Sequence, residues 1–177
     1  MVLCSSSLRL WLLPNAVLLV VLPLWGALRY PRLPGRIPQH IGTEGVDAWT
    51  DKSIGAAFVL VFLYTGVTAL TVGGAELTLR LTPRDALPHA KPASFPPARA
   101  ASSLLNRPGS RASARRIARA LLLLNICIGI SLLMGCAILW RSTPDAHVPA
   151  WLLTAMTLPL LAGTVMTVLA AISDRKH

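Results

Sequence analysis

Four apolar runs, each long enough to cross a lipid bilayer, constrain this chain more than any other feature. They cover residues 10–28, 54–77, 117–140 and 148–172. A helix needs about 20 residues to cross about 30 Å of hydrocarbon, and it satisfies its own backbone hydrogen bonds there. Only 14% of the residues are charged, against about a quarter in a soluble domain. The runs predict an all-α integral membrane protein with four transmembrane helices.

The first run could instead belong to a cleaved signal peptide. It is longer than an ordinary signal-peptide core, and Pro23-Leu24-Trp25 is a poor small-residue cleavage site. We therefore interpret this run as the first transmembrane helix.

Basic residues are distributed unevenly between the connections. The connection Arg80–Arg116 carries eight of them and a single acid, Asp85. Lys and Arg near membrane ends are retained on the cytoplasmic side, so this loop and both termini are predicted to be cytoplasmic, with 12 of the 17 basic residues. Residues 30–52 and 141–147 are then extracellular, and the chain is a multi-pass protein of the cell membrane.

This topology divides the chain into three parts. They are residues 1–79 with the first two spans, the basic loop 80–116, and residues 117–177 with the last two spans. Five prolines exclude a long helix in residues 80–99. Residues 100–116 are rich in Ala, Ser and Arg, and they are compatible with either a surface helix or disorder. We expect the basic loop to be partly disordered.

The net charge of +10 does not indicate a nucleic-acid partner. No helix-turn-helix, aromatic interleaving or zinc spacing accompanies the charge, and the orientation rule alone explains a basic loop. Attraction to anionic lipids is favoured, at about 1 kcal/mol per basic residue near the surface. The bilayer is therefore the one partner that composition predicts, and the oligomeric state is not predicted.

A few polar side chains interrupt the apolar runs. Glu76 is the one acid within a run, and intramembrane acids are often functional. Arg80 follows four residues later, however, which predicts an ion pair near the membrane surface. Asn125 and four threonines of the last run are predicted to donate hydrogen bonds between helices. These threonines are Thr154, Thr157, Thr164 and Thr167.

The segment Tyr30–Lys52 lies between the first two runs and is unusually specific. Its prolines, Pro31, Pro34 and Pro38, predict an extended chain close to polyproline II. Leu33 and Ile37 would then lie against the bundle, and Gly42 and Gly45 would permit a tight reversal. The segment is predicted to be an ordered cap on the outer end of the bundle.

Individual side chains of this cap have predicted roles. Asp47 is predicted to N-cap the second helix, and Tyr30 and Trp49 are predicted to lie in the interfacial aromatic belt. Lys52 at that helix N-terminus needs compensation by an acid or a lipid phosphate, because the helix dipole disfavours a cation there. His40 could bond across the loop, or bind a ligand or sense protons, since histidine titrates near neutral pH. No ligand spacing supports a metal site.

The stretch LPGRIPQHIGTEGVDAWTDK resembles the domain of unknown function 1648. That family occurs in bacterial membrane proteins, including the N-terminal region of SdpI-type immunity proteins, which protect against a secreted toxic peptide. The matching residues are Leu33, Pro34, Ile37, Pro38, His40, Gly45, Asp47, Trp49 and Lys52. The chain departs from the pattern at Ile41 and Gly42, where the family commonly has an aromatic residue and an asparagine.

The resemblance implies a small, non-enzymatic membrane protein without a cofactor, whose outer loop recognises a peptide, a lipid or a partner protein. The implied binding residues are Pro34, Pro38, His40, Gly45, Asp47, Trp49 and Lys52. The alternative is an auxiliary subunit of a transporter or envelope complex, because four spans with so little intramembrane polarity are poorly suited to transport alone. An enzyme with His40 and Asp47 as acid and base lacks a recognisable nucleophile and stabilising donors.

Overall fold

The fold was analysed in a computed structural model that describes residues 6–42, 45–86, 107–141 and 147–175. The helices are α1 (Ser6–Arg29), α2 (Ile54–Ala57), α3 (Val59–Arg80), α4 (Arg111–Leu139) and α5 (Ala150–Arg175), and the strands are β1 (Arg36–Gly42) and β2 (Gly45–Asp51). Among the described residues, four helices are long and apolar enough to cross a membrane: α1, α3, α4 and α5. The prediction of four candidate spans is confirmed. Most of the predicted basic loop, residues 87–106, lies outside the described residues.

Helix α4 is the centre of the bundle, because α1, α3 and α5 all pack against it. It begins at Arg111, six residues before the predicted run. Ser110 caps this helix by accepting a hydrogen bond from the Ser113 N–H at 3.1 Å, as serine does at many helix N-termini. The bundle has two distinct ends. The β-strands lie at one end, and the arginine-rich ends of the helices lie at the other.

A layer of buried polar side chains joins three helices in the middle of the bundle. Asn125 of α4 donates to Asn15 Oδ1 of α1 at 2.7 Å and to Thr68 Oγ1 of α3 at 2.9 Å. The Tyr64 hydroxyl also donates to Asn15 Oδ1, at 3.4 Å. The interhelical role predicted for Asn125 is confirmed, since an amide in an apolar bundle finds its partners on neighbouring helices.

The threonines predicted for the same role behave differently. Thr154, Thr157 and Thr164 donate to carbonyls of their own helix, three or four residues earlier, so the prediction is wrong for them. Thr167 bonds Gly163 O in its own helix at 2.8 Å and reaches Ala120 O of α4 at 3.5 Å. A hydroxyl near its own backbone satisfies itself locally, whereas a longer amide side chain can reach a neighbouring helix.

The basic end of the bundle comprises the last turn of α3, the first two turns of α4 and the segments 84–86 and 107–110. The predicted Glu76–Arg80 ion pair is present there, with an Nη2–Oε1 distance of 2.8 Å. The two segments are joined by backbone hydrogen bonds from Arg84 N to Pro108 O at 3.0 Å and from Asp85 N to Gly109 O at 3.1 Å. The segments 84–86 and 107–110 therefore lie side by side at this end of the bundle.

A buried carboxylate at the end of α5 holds these segments to the bundle. Asp174 accepts hydrogen bonds from the Ser113 hydroxyl and from the Gly109 N–H, the latter at 2.8 Å. An Arg84 guanidinium lies 3.4 Å from its other oxygen. One acid thus satisfies donors from three parts of the chain, and this role was not predicted.

The cap predicted at the opposite end is a β-hairpin rather than a polyproline II segment. Strands β1 and β2 pair antiparallel from Arg36–Asp51 to Gly42–Gly45, so the chain is mostly helical rather than all-α. Only one of the three prolines, Pro38, lies inside a strand. Pro31 lies in a 3₁₀ turn, Tyr30–Arg32, and Pro34 precedes β1. The prolines rigidify the approach to the strand and leave most of the ladder free to pair.

Candidate functional site

The β-hairpin closes one end of the bundle, which we call the hairpin end. At its base, the Lys52 N–H donates to Gly35 O at 2.8 Å, which extends the ladder beyond the first strand pair. At its tip, Gly42 pairs with Gly45. The predicted tight reversal falls on residues 43 and 44, which lie outside the described residues.

Two irregularities in the ladder set the direction of its polar side chains. The register passes from Pro38–Trp49 to His40–Ala48 and then to Ile41–Val46, so Gln39 and Asp47 have no partner opposite them. An extra residue in one strand redirects the neighbouring side chains. His40 and Asp47 are both exposed, and Nδ1 and Oδ1 lie 2.6 Å apart. The predicted hydrogen bond of His40 across the loop is confirmed.

The apolar side chains of the hairpin bind it to the helices on two sides. Leu33 and Ile37 are buried in a cluster that includes Leu22 of α1 and Val61 of α3, as predicted. Val46 of β2 packs with a second cluster, in which Trp49 takes part. The other members of this second cluster are Ile138, Val148, Leu152, Leu153 and Met156. Trp49 therefore contributes to docking of the hairpin against α4 and the start of α5.

An aromatic cluster lies beneath the hairpin and was not predicted. Trp140, which is 2% exposed, packs edge-to-face on Trp25 with ring centroids 5.1 Å apart, and against Phe58 at 6.0 Å. Its indole N–H donates to Ala57 O at 2.8 Å. A Cβ on Gly26 would lie only 2.7 Å from Trp140 Cζ2. Gly26 therefore leaves the space that the indole ring occupies, a relation between distant residues that spacing in the sequence does not reveal.

Two groups compensate the charge of Lys52. Its Nζ donates to Leu33 O at 3.1 Å and lies 4.9 Å from the Tyr30 ring centroid. Glu44, one of the acids near it in sequence, lies outside the described residues.

Asp47 is not the N-cap of the following helix, since it lies in β2. Ser53 has that role and accepts from Ala56 N at 3.1 Å. The predicted cap was six residues too early because a strand intervenes.

A cavity of about 380 Å³ lies between the hairpin and the helices. Pro38, Gln39, His40 and Thr50 form its hairpin wall. Its helix wall comprises Gly55, Ala56, Val59, Leu60, Gly135, Leu139 and Met156. The helix wall is apolar, whereas the hairpin contributes an imidazole, an amide and a hydroxyl. Pockets of about 300–1,000 Å³ with an apolar lining and a few polar groups are typical ligand sites.

The residues of the motif do not converge on one point. His40 and Asp47 form the exposed pair, and His40 and Pro38 line the cavity. Trp49 and Lys52 contact the bundle and the turn before β1, and Gly45 pairs at the hairpin tip. Within the described ranges, no three His, Cys, Asp or Glu side chains are grouped as metal ligands. The arrangement is suited to binding through an apolar cavity with a polar rim.

One comparison with known proteins identifies this end of the molecule. No curated protein and no solved structure matches the chain. Residues 17–65 match the family model described as Domain of unknown function (DUF1648). The match covers most of α1, the whole hairpin, α2 and the start of α3. The hairpin end is therefore the part of the chain that is similar to the DUF1648 family, and it lies in a protein with four candidate membrane spans among its described residues.

Proposed function

We propose that this protein is a non-enzymatic recognition protein of a bacterial cell membrane, and that its hairpin end binds an extracellular peptide in the manner implied for SdpI-type immunity proteins. The observation that carries the proposal is the cavity beneath the hairpin, with His40, which bonds Asp47, in its lining. An apolar side chain of the peptide occupies the cavity, and its polar backbone meets the rim.

The chemistry of the cavity supports a peptide rather than a small polar metabolite. Val59, Leu60 and Met156 offer only apolar contact, which favours burial of an apolar side chain. The rim offers Gln39, which donates and accepts as peptide groups do, and Thr50 beside it. An edge of the hairpin next to this rim could also pair with an extended peptide, a common mode of peptide recognition.

The distribution of charge supports an extracellular position for the hairpin. Six arginines lie at or close to the basic end of the bundle: Arg80, Arg84, Arg111, Arg115, Arg116 and Arg119. Lys and Arg at membrane ends favour the cytoplasmic side. Four spans with that end inside put both termini inside and the hairpin outside, where a secreted peptide would meet it.

Photo-crosslinking in native membranes tests the proposal. A photoactivatable amino acid at Gln39, inside the cavity wall, is expected to capture a small secreted peptide, and His40→Ala is expected to abolish the adduct without lowering the protein level. The same amino acid at Arg36, exposed on the same strand but outside the cavity, is the matched control and should capture none.

Two results would overturn the proposal. If the protein is present at its normal level and no peptide adduct forms at Gln39, the cavity is not a peptide-recognition site. A reproducible adduct with one larger membrane protein would instead support an auxiliary subunit of a transporter or envelope complex.

A further inference from the structure

A second cavity, separate from the hairpin, opens at the basic end. Helices α1 and α5 both pack on α4 there and leave a cleft of about 540 Å³ between them. Trp11 of α1 forms one wall, and Met166 and Leu169 of α5 form the other. Leu123 of α4 forms part of the floor. Except for its mouth, the lining is apolar, as expected of a surface that meets lipid chains.

Two arginines of α4, Arg116 and Arg119, lie at the mouth of this cleft. Arg119 is exposed and, among the described residues, makes neither a hydrogen bond nor an ion pair. Arg116 donates to Ser173 Oγ at 3.3 Å. Helix α4 has 29 residues, about 44 Å, so it exceeds the hydrocarbon thickness by roughly nine residues. If its far end lies at the opposite surface, both guanidinium groups lie at the level of lipid headgroups.

Arginines outnumber acids around the mouth. Arg111 and Arg115 are exposed on the same side of α4 as Arg119, and the first two turns of the helix contain no acid. Like charges one turn apart destabilise a helix. Asp174, a buried acid near Arg116, also accepts hydrogen bonds from Ser113 and Gly109 and interacts with Arg84. One acid therefore leaves an excess of positive charge at the mouth, which an anion at Arg119 would neutralise.

We infer that this cleft binds one molecule of an anionic phospholipid, with its phosphate at Arg116 and Arg119 and one acyl chain along Leu123, Met166 and Leu169. The apolar walls of the cleft favour a lipid over a free phosphate, because a phosphate would leave these walls without an apolar contact. Arginine binds phosphate through charge-assisted hydrogen bonds, and the two guanidinium groups favour a lipid of net negative charge over a zwitterionic lipid, whose headgroup cation they would repel. Basic pockets between transmembrane helices are known to take such headgroups.

Native mass spectrometry of the purified full chain tests the inference. The protein is equilibrated in micelles that contain equal amounts of phosphatidylglycerol and phosphatidylcholine with identical acyl chains. The wild type is expected to retain one phosphatidylglycerol, and the Arg116→Gln/Arg119→Gln variant to lose that preference by about tenfold or more. Arg32→Gln/Arg36→Gln removes the same charge from exposed residues at the other end and should behave as the wild type.

A second variant separates lipid from phosphate. Leu123→Trp fills the cleft and keeps both arginines, so it is expected to lose the bound lipid while its thermal unfolding stays cooperative. Glycerol phosphate added to the wild type should not displace the lipid. Equal retention of both lipids, retention unchanged in the arginine variant, displacement by glycerol phosphate, or a dimer whose contact excludes lipid would each overturn the inference.

Discussion

The two ends of the bundle hold the chain to the helices by different physical means. At the hairpin end, a backbone ladder and buried apolar side chains fix the segment, and the acid and imidazole of the Asp47–His40 pair lie exposed on its surface. At the basic end, a single buried acid, Asp174, joins segments that otherwise carry mostly arginine. We therefore expect loss of the exposed His40–Asp47 pair to have little effect on folding at the first end, and loss of Asp174 to have a large effect at the second.

This difference indicates where function can reside. An exposed pair of polar side chains contributes little to stability, so the pair on the hairpin can be altered without loss of the fold. A buried carboxylate that accepts several hydrogen bonds cannot, because its removal leaves donors unpaired.

Replacing Gly26 with a larger residue should disrupt the packing that supports the hairpin. A Cβ there would lie 2.7 Å from Trp140 and 2.8 Å from Phe58, so Gly26→Val is expected to lower the free energy of unfolding by about 3 kcal/mol, as overpacking does. Thermal unfolding in detergent measures the change.

Gly66→Val is the matched control, because nothing lies within 4 Å of a Cβ at that position of α3. It should change stability by less than about 1 kcal/mol. Equal losses in both variants would show that the aromatic cluster does not support the hairpin end.

Removing the buried acid should open the basic end. Asp174→Ala is expected to cost about 2 kcal/mol, since its carboxylate accepts from the Gly109 N–H and the Ser113 hydroxyl. Hydrogen exchange at Gly109 should accelerate, whereas the exposed Asp85 can be replaced by alanine with little effect. Unchanged exchange in Asp174→Ala would contradict the role given to this acid.

The polar layer between the two ends should contribute less to stability than the packing at Gly26 or the hydrogen bonds of Asp174. Asn125→Ala removes two hydrogen bonds, but within the described part of the chain the buried Asn125 Oδ1 has no partner, so its loss also relieves a cost. The net effect expected is about 1 kcal/mol, in line with interhelical hydrogen bonds in membranes.

Ser131→Ala on the same helix is the control, because its hydroxyl bonds the Cys127 carbonyl of its own helix and, among the described residues, no other helix. Unfolding of both variants in bicelles measures the difference. A loss for Ser131→Ala as large as that for Asn125→Ala would show that the interhelical bonds add nothing.

The spans were predictable because a helix that crosses lipid must be apolar along nearly its whole length. Length and hydropathy alone therefore locate α1, α3, α4 and α5. The Glu76–Arg80 pair was also predictable, since its partners are four residues apart on one helix. A bond of His40 across the loop was predicted, but its partner Asp47 was not.

The remaining features depend on distant residues. The space at Gly26 is occupied by Trp140, and Asp174 bonds Ser113, so neither role can be read from a local window. The hairpin was predicted as polyproline II because its prolines were weighed and the pairing of two strands, Arg36–Gly42 with Gly45–Asp51, was not. Pairing between strands is a property of the whole segment, and a tally of residue types does not express it.

The central claim is that the hairpin folds and docks without the His40–Asp47 pair, which leaves that pair available for recognition. Hydrogen exchange of residues 36–51 in the wild type and in His40→Ala, both in lipid nanodiscs, tests it most directly. The account predicts slow exchange of the paired ladder amides, equal in the two proteins to within the effect of a surface substitution, about 0.5 kcal/mol. Fast exchange in the wild type, or loss of protection in His40→Ala alone, would contradict it.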